Sequence, residues 1–365
     1  MATQDINIRI NLRDNASAKV DKFNTNLGGI GSSGSIAAAG ITKMLGPLAA
    51  AIAAFQTMKR VITGVSDSIK LFADFDDTMR KVKAVTKATD AEFQAMVATA
   101  KQLGSTTRYT ATQSAEALAF LGMAGFEASQ AMEALPNVLN LAAAGGLDLG
   151  VAADIATNIL SGFGLEVSQL ARVNDVLAEA FTGSNTTLTE LGEGFKYVGP
   201  IAKGVGADFE DLIASMGKLG DAGIKGSLAG TTLRGVIDAL FNPTREEAVL
   251  MEDLSKRIGD VGLQIKNNKG NFVGFRSLVE QLEKAGLRGE EALKLFGARA
   301  GPGMAALLQV GSKALGDFEE ELNNVDDTTS KIAATQEGGI GGAFRGLASA
   351  IEGAKLQFFE SHNLK

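Results

Sequence analysis

The feature that most constrains this chain is the recurrence of apolar residues at helical spacing, in short runs that mostly end at glycine. Ile69, Phe72, Phe75, Met79, Val82 and Val85 fall on one face of a 3.6-residue helix. Phe93, Met96, Ala100 and Leu103 make a second stripe that stops at Gly104, and Met132, Leu135, Val138, Leu139 and Ala142 a third that stops at Gly145-Gly146. Ile155, Ile159 and Leu160 run into Gly162 to Gly164, and Val173, Val176, Leu177, Ala180 and Phe181 keep the i, i+3, i+4, i+7, i+8 set. Phe209, Leu212, Ile213, Met216 and Leu219 follow Asp208, a good helix starter. Thr110-x-x-Gln113 and Thr187-x-x-Glu190 read as capping boxes, and Ala115 to Ala124 is apolar nearly all round, which predicts a buried helix. Helices resume at Phe275, and Met304, Leu307, Leu308, Leu315, Phe318 and Leu322 predict one long helix.

Composition agrees with closely packed helices. In 365 residues the hydrophobic share is 45 %, enough for a sizeable core and too much for a disordered chain. Glycine is frequent at 44 and proline rare at 5, so backbones can approach closely and helices run uninterrupted. A net charge of −7 argues against a phosphate-backbone binder, so no specific nucleic-acid binding is expected. With no cysteine there is no disulfide frame and no Cys-based metal site, and the single histidine, His362, cannot make a histidine cluster.

The ends of the chain read differently from its middle. Ile6, Ile8, Ile10 and Leu12 alternate with polar residues, which predicts a short N-terminal strand; Asp14-Asn15 then starts a helix carrying Val20, Phe23 and Leu27. Gly28 to Ser35 is a linker. It holds a literal G-x-G-x-x-G at Gly29, Gly31 and Gly34, without the preceding strand and following acid that a dinucleotide site needs. Residues 36–65 read as an Ala-rich apolar helix; Ile36 to Phe55, broken at Gly46-Pro47, is marginal as a membrane span. Leu263-Gln264-Ile265 and Asn271-Phe272-Val273 flank Asn267 to Gly270, which predicts a small β-hairpin. After the polar break Asp326 to Ser330, Ile340, Phe344, Leu347, Ile351, Ala354 and Phe358 step by four and three, the start of a heptad-like seam that wants a partner.

The expected fold is therefore mainly α, a multi-helix assembly with a short N-terminal β-strand and a small β-hairpin near 263–273. Four regions are expected: a strand-helix unit with its linker at 1–35, the apolar helix at 36–65, a helical core at 66–325, and the heptad-like segment at 326–365.

No residue stands out for chemistry. Asp76-Asp77, Glu246-Glu247, Glu319-Glu320-Glu321 and Asp326-Asp327 are adjacent acids, which on a helix point apart and read as solvated faces or caps. There is no nucleophile elbow and no phosphate-binding loop. Gly226, Ser227, Gly230, Thr231 and Thr232 could present a helix start to an anion. The favoured reading is a glycine turn and a helix with Leu233, Val236, Ile237 and Leu240 inward. No catalytic, cofactor-binding or metal-binding residue is assigned, and no enzymatic activity is expected.

Several runs, in order, carry a resemblance. Phe75-Asp76-Asp77-Thr78-Met79 is followed by Leu103-Gly104-Ser105-Thr106-Thr107-Arg108-Tyr109-Thr110-Ala111-Thr112-Gln113, the most distinctive stretch. Then come Ala124-Gly125-Phe126, Leu139-Asn140-Leu141, Asp154-Ile155-Ala156 and Phe163-Gly164-Leu165. Gly223-Ile224-Lys225-Gly226-Ser227 with Ala229 to Arg234 is a second strong motif, succeeded by Leu240-Phe241-Asn242-Pro243-Thr244 and Leu295-Phe296-Gly297. Together these resemble the core region of phage tail tape measure proteins of the TP901 type, over roughly three quarters of the chain. The resemblance implies a structural and assembly protein that templates tail tube length and is linked to genome ejection. Its expected partners are the tail tube protein, tail assembly chaperones, baseplate or tail-tip proteins and further copies of itself. Its expected place is the tail tube lumen or tip in the virion, and the host cytoplasm during assembly. The alternative is a membrane-active helical protein in contact with the host membrane. The family's chains usually run further, so this chain is expected to correspond to a core region and not to the whole ruler.

Overall fold

A computed structural model describes residues 70–259 and 262–361, with side chains to 357. The expected N-terminal strand, linker and apolar helix, 1–65, lie outside the described residues.

The described chain is helical almost throughout. We number the helices α1 (70–86), α2 (Asp90–Thr106), α3 (Ala111–Met123), α4 (Ala128–Gly145), α5 (Leu149–Phe163), α6 (Leu170–Thr182), α7 (Leu188–Gly204), α8 (Phe209–Asp221), α9 (Gly226–Phe241), α10 (Arg245–Ile258), α11 (Phe275–Lys284), α12 (Gly289–Val310), α13 (Ser312–Asn323), α14 (Thr328–Glu337) and α15 (Ile340–Ser361). Their starts follow the sequence. Thr110 and Thr187 close capping boxes with Gln113 and Glu190, as expected, and Asp208 accepts from the Glu210 and Asp211 amides at 3.0 and 3.1 Å. Two further boxes are built on Thr89 with Glu92 and Thr244 with Glu247. Gly146 and Gly164 end α4 and α5 in the left-handed conformation that only glycine adopts freely.

One continuous hydrophobic cluster runs from Phe75 on α1 to Leu356 on α15. Helices α2 to α5 form one end, and α7, α9 and α12 the most closely packed group at the other, with α5 against α7 joining them. Helices α6 and α8 bridge the two groups, and α10, α11 and α13 cover α8 and α12. Helix α14 then runs back across α4 and α6, and α15 reaches α2 and α3. The buried faces are those that the stripes predict: Met96 and Ala100 on α2, Leu135, Val138 and Leu139 on α4, and Leu212, Ile213, Met216 and Leu219 on α8. Ala115, Ala117, Leu118, Ala119 and Leu121 bury nearly all of α3.

Four expectations need correction. The β-hairpin near 263–273 is absent, and there is no strand among the described residues. Lys266 and Phe272 make a lone antiparallel bridge, with Asn267 N–H on the Asn271 carbonyl at 2.8 Å and Val273 N–H on that of Ile265 at 3.0 Å. The ladder goes no further because the Phe272 N–H leaves it for the Val205 carbonyl at 2.7 Å. That bond and the buried Phe272 ring dock the loop on the end of α7, so packing replaces pairing. Second, the long helix through Met304 and Leu322 is two, because Gly311 at φ +87° turns the chain between α12 and α13. Third, Gly104 does not end its helix; it lies inside α2, where the backbone of Ala111 passes. Fourth, scarce proline does not mean proline-free helices: Pro136, Pro200 and Pro302 sit within α4, α7 and α12.

No single described helix is long and apolar enough to cross a membrane. Helices α4 and α5 pass that test only as a pair bent by 117°. Ile36 to Phe55 lies outside the described residues.

Candidate functional site

Three places combine polar groups with a cavity. The first is the corner between α2 and α3, built by the most distinctive run of the sequence. The Thr107 hydroxyl donates to the Leu103 carbonyl at 2.8 Å and accepts from the Tyr109 amide at 3.2 Å, which folds the turn. Arg108 lies over the Tyr109 ring, 5.6 Å from its centre, and burial pushes the Tyr109 phenol up. Helix α15 closes on this corner. The Glu352 carboxylate accepts from the amide and hydroxyl of Thr112, each at 2.9 Å, so a buried acid faces the positive end of α3. The Ser349 hydroxyl, also buried, reaches the carbonyls of Gly104 and Tyr109. Beside these bonds is a cavity of about 680 Å³ lined by Lys70, Asp74, Arg108, Tyr109, Arg345 and Glu352. A second, of about 570 Å³, continues past Arg108 and Phe120 to residues 146–151. Both cavities mix charged side chains with apolar surface.

The second place is centred on Asp211, which a reading of sequence alone missed. Asp211 is on α8, yet its two oxygens accept from the amides of Phe275 and Arg276 at 2.7 and 3.0 Å, capping α11 from another helix. Full burial drives its pKa up to about 7, against the pull of those two N–H groups. Asp208, Arg276 and Glu319 line the same cavity of about 530 Å³. Burial also raises Glu319, which pairs with Arg276 at 3.0 Å. Glu210, next to Asp211, is raised first by burial and then by Asp208, and meets Arg172 at 2.7 Å. A carboxyl near 7 in a cleft has the acidity of a general base. Its geometry assigns it otherwise, because both oxygens are already committed to backbone donors. The local signal was thin: an acidic run at 208–211 and, 64 residues later, a Gly-Phe helix start without a cap of its own.

The third place is the Gly223 to Arg234 motif. Leu233, Val236, Ile237 and Leu240 are buried, as the favoured reading expected, and Arg234 is exposed. A Cβ on Gly226 would come within 3.2 Å of a Glu193 carboxylate oxygen, so an acid already faces the start of α9. The motif's glycines make a crossing. A Cβ on Gly230 would stand 2.0 Å from the Gly194 carbonyl oxygen of α7, and one on Gly303 of α12 2.3 Å from the Thr232 methyl. Beside the crossing, Tyr197, Leu228, Pro302 and Arg299 line a shallower cavity of about 530 Å³.

The adjacent acids do not converge. Asp76 pairs with Arg80 at 2.7 Å, Glu247 closes the cap on Thr244, and Asp327 starts α14. Among the described residues no group of three or more carboxylates and histidines is placed to hold a metal ion.

The chain is similar to known proteins over most of its length. A family profile described as phage-related minor tail protein matches residues 97–336, from α2 to α14. The chain is 34 % identical over 298 residues to the tape measure protein of Pneumococcus phage Dp-1, covering 78 % of this chain and 25 % of that protein. It is 27 % identical over 298 residues to the probable tape measure protein of Escherichia phage P2, covering 79 % of this chain and 36 % of that one. The chain thus spans about a quarter to a third of the length of these relatives. No solved structure matches.

Proposed function

The chain belongs to the phage-related minor tail protein family, and from that premise we propose that it is the folded body of a tail tape measure protein, an assembly element and not the extended ruler itself. The observation that carries this reading is the single cluster from α1 to α15. Helices stacked round one core add little length, whereas an extended helix adds about 1.5 Å per residue. The proposed role is to organise the tail tube protein, assembly chaperones and tail-tip or baseplate proteins while longer helical parts of such proteins set the distance. Self-association belongs to the same role. In this reading the body works by binding and has no catalytic step. It is made in the host cytoplasm, packed into the tail lumen or tip, and leaves ahead of the genome.

The test is tail length, measured by negative-stain electron microscopy, in phage carrying an in-frame deletion of residues 110–162. That deletion removes α3, α4 and nearly all of α5, so absent or irregular tails are expected. Intact tails shortened by about 80 Å, the length of that segment as continuous helix, would show that the body is itself ruler. Normal tails of unchanged length would remove the assembly role.

A further inference from the structure

The crossing explains the glycines of the Gly223 to Arg234 motif and leaves over its hydroxyls and its exposed apolar side chain. On α9, Leu228 is 55 % exposed and shares a helix face with Thr231, three residues on. Tyr197 of α7, 48 % exposed, and Pro302 of α12 line the same cavity. Gly297, at φ +69°, interrupts the helical course of α12, and just past that break Arg299 joins the lining. The second strong motif and the Leu295-Phe296-Gly297 run thus meet at one cavity of about 530 Å³.

The chemistry of this cavity is one-sided. Among the described residues, Arg299 is the only charge in the lining, and it makes no hydrogen bond or ion pair with any of them. The hydroxyls of Tyr197, Thr231 and Thr232 likewise have no hydrogen-bond partner among the described residues. Thr232 matters most. It is 1 % exposed and lines the cavity, yet its hydroxyl is left unpaired, where burial normally demands a partner. Thr157 and Ser215, also buried on helices, bond back to the carbonyls of Ala153 and Asp211, each at 2.8 Å. A cation, donor hydroxyls and apolar walls without an acid complement a carboxylate carried beside an apolar side chain. The guanidinium fork matches a carboxylate with two parallel bonds. The net charge of −7 disfavours a nucleic acid in the same place.

We propose that this cavity seats an acidic and apolar segment of a partner protein, its carboxylate on Arg299 and the Thr231 and Thr232 hydroxyls and its apolar side chain against Leu228. The proposal rests on the reading of the body as an element that works by binding, and it names the chemistry of what is bound.

The probe is a short amidated peptide of leucine, phenylalanine and glutamate with a fluorophore at its N-terminus, titrated into the full chain and followed by polarisation. Saturable binding is expected, weakened at least about tenfold by Arg299→Gln, the loss of a charge-assisted pair. Thr232→Val and Leu228→Asp should each weaken it severalfold. All three variants should melt as the parent does, since none removes a hydrogen bond that the fold makes. The glutamine counterpart of the peptide should bind at least severalfold more weakly. Arg234→Gln, exposed on α9 outside the cavity, should change nothing. No saturable binding, equal binding of the glutamine peptide, or an equal loss from Arg234→Gln would overturn the proposal. So would a molecular mass that rises with concentration in the parent and not in Arg299→Gln, which would assign the cavity to a second copy. In phage, Arg299→Glu should cut the number of complete tails at least severalfold, and Arg234→Glu should not. Normal tails from Arg299→Glu, with tails still lost on deletion of residues 110–162, would overturn this proposal and leave the assembly role standing.

Discussion

Glycines in this chain have two uses, which one substitution tells apart. Gly230 and Gly194 let α9 and α7 cross so closely that a methyl on Gly230 would lie 2.0 Å from a carbonyl oxygen and 2.8 Å from the Gly194 Cα. Backbone cannot step aside as a flexible side chain can, so Gly230→Ala should destabilise by about 3 kcal/mol, the upper end of overpacking. Gly353, inside α15, has nothing within 4 Å of the same added atom. Gly353→Ala should be neutral or add up to about 1 kcal/mol through helix propensity. Urea midpoints of the two variants check both. Asp211 gives a prediction in pH. Its folded pKa near 7 lies above its ordinary value of 3.8, so the folded state holds the proton more tightly than the unfolded one. That term stabilises most below about pH 4, is lost as pH rises through 7, and is flat beyond. Carboxylates held low by partners, such as Glu291 beside Arg257, have the opposite sign and act only in acid. The urea midpoint should therefore be higher at pH 5.5 than at pH 8, and Asp211→Asn should flatten that difference. An unchanged slope in the variant would show that Asp211 is not its source.

At the scale of elements, the caps were legible in the sequence and the long-range capping was not. Thr110 and Thr187 announce their helices within four residues, because a capping box is local chemistry. Glu352 caps α3 from 240 residues away and Asp211 caps α11 from 64, and no window of sequence contains either pair. The missing hairpin has the same cause: its alternation was real, but the carbonyl that took the Phe272 amide belongs to Val205, just past the end of α7 and far outside the turn. The seam of α15 was legible as a pattern, while the face that docks, Ser349 and Glu352, is polar and left no periodic signal. Glu352→Ala should therefore act on two elements together. It leaves the half-buried Thr112 amide without its acceptor, a loss of about 1 kcal/mol. Exchange should quicken in the first turn of α3 and along α15. Glu352→Gln keeps an acceptor and should lose clearly less. Thr110→Ala, by contrast, should cost about 1 kcal/mol and leave α15 protected. Hydrogen exchange read by mass spectrometry separates the three.

At the scale of the whole molecule, the contacts divide the chain into a body and a strap. Helices α1 to α13 share one apolar cluster whose members recur on every element, so no cut within them leaves a closed core. Helices α14 and α15 are held differently. Thr329 N–H donates to Asp175 at 2.8 Å, the Gln336 amide to the Ala144 carbonyl at 2.7 Å, and Glu352 and Ser349 make the contacts at the corner. Among the described residues of the strap, Ala333 and Leu356 are the buried apolar side chains. Hydrogen bonds exchanged with water contribute about 1 kcal/mol each on balance, whereas burying a leucine-sized side chain contributes about 2 kcal/mol. The strap should thus open before the body melts. Limited proteolysis of the folded chain should cut first near residues 324–327, between α13 and α14, and leave a resistant fragment ending there. A chain stopped at Val325 should keep its helical signal and one cooperative melt, a few degrees lower. A chain stopped at Ile258 loses α11, and with it the donors that satisfy Asp211 and the Phe272 ring that packs on Phe241; it should not fold. If the chain stopped at Val325 also failed to fold, the strap would have to be counted as part of the core that it crosses.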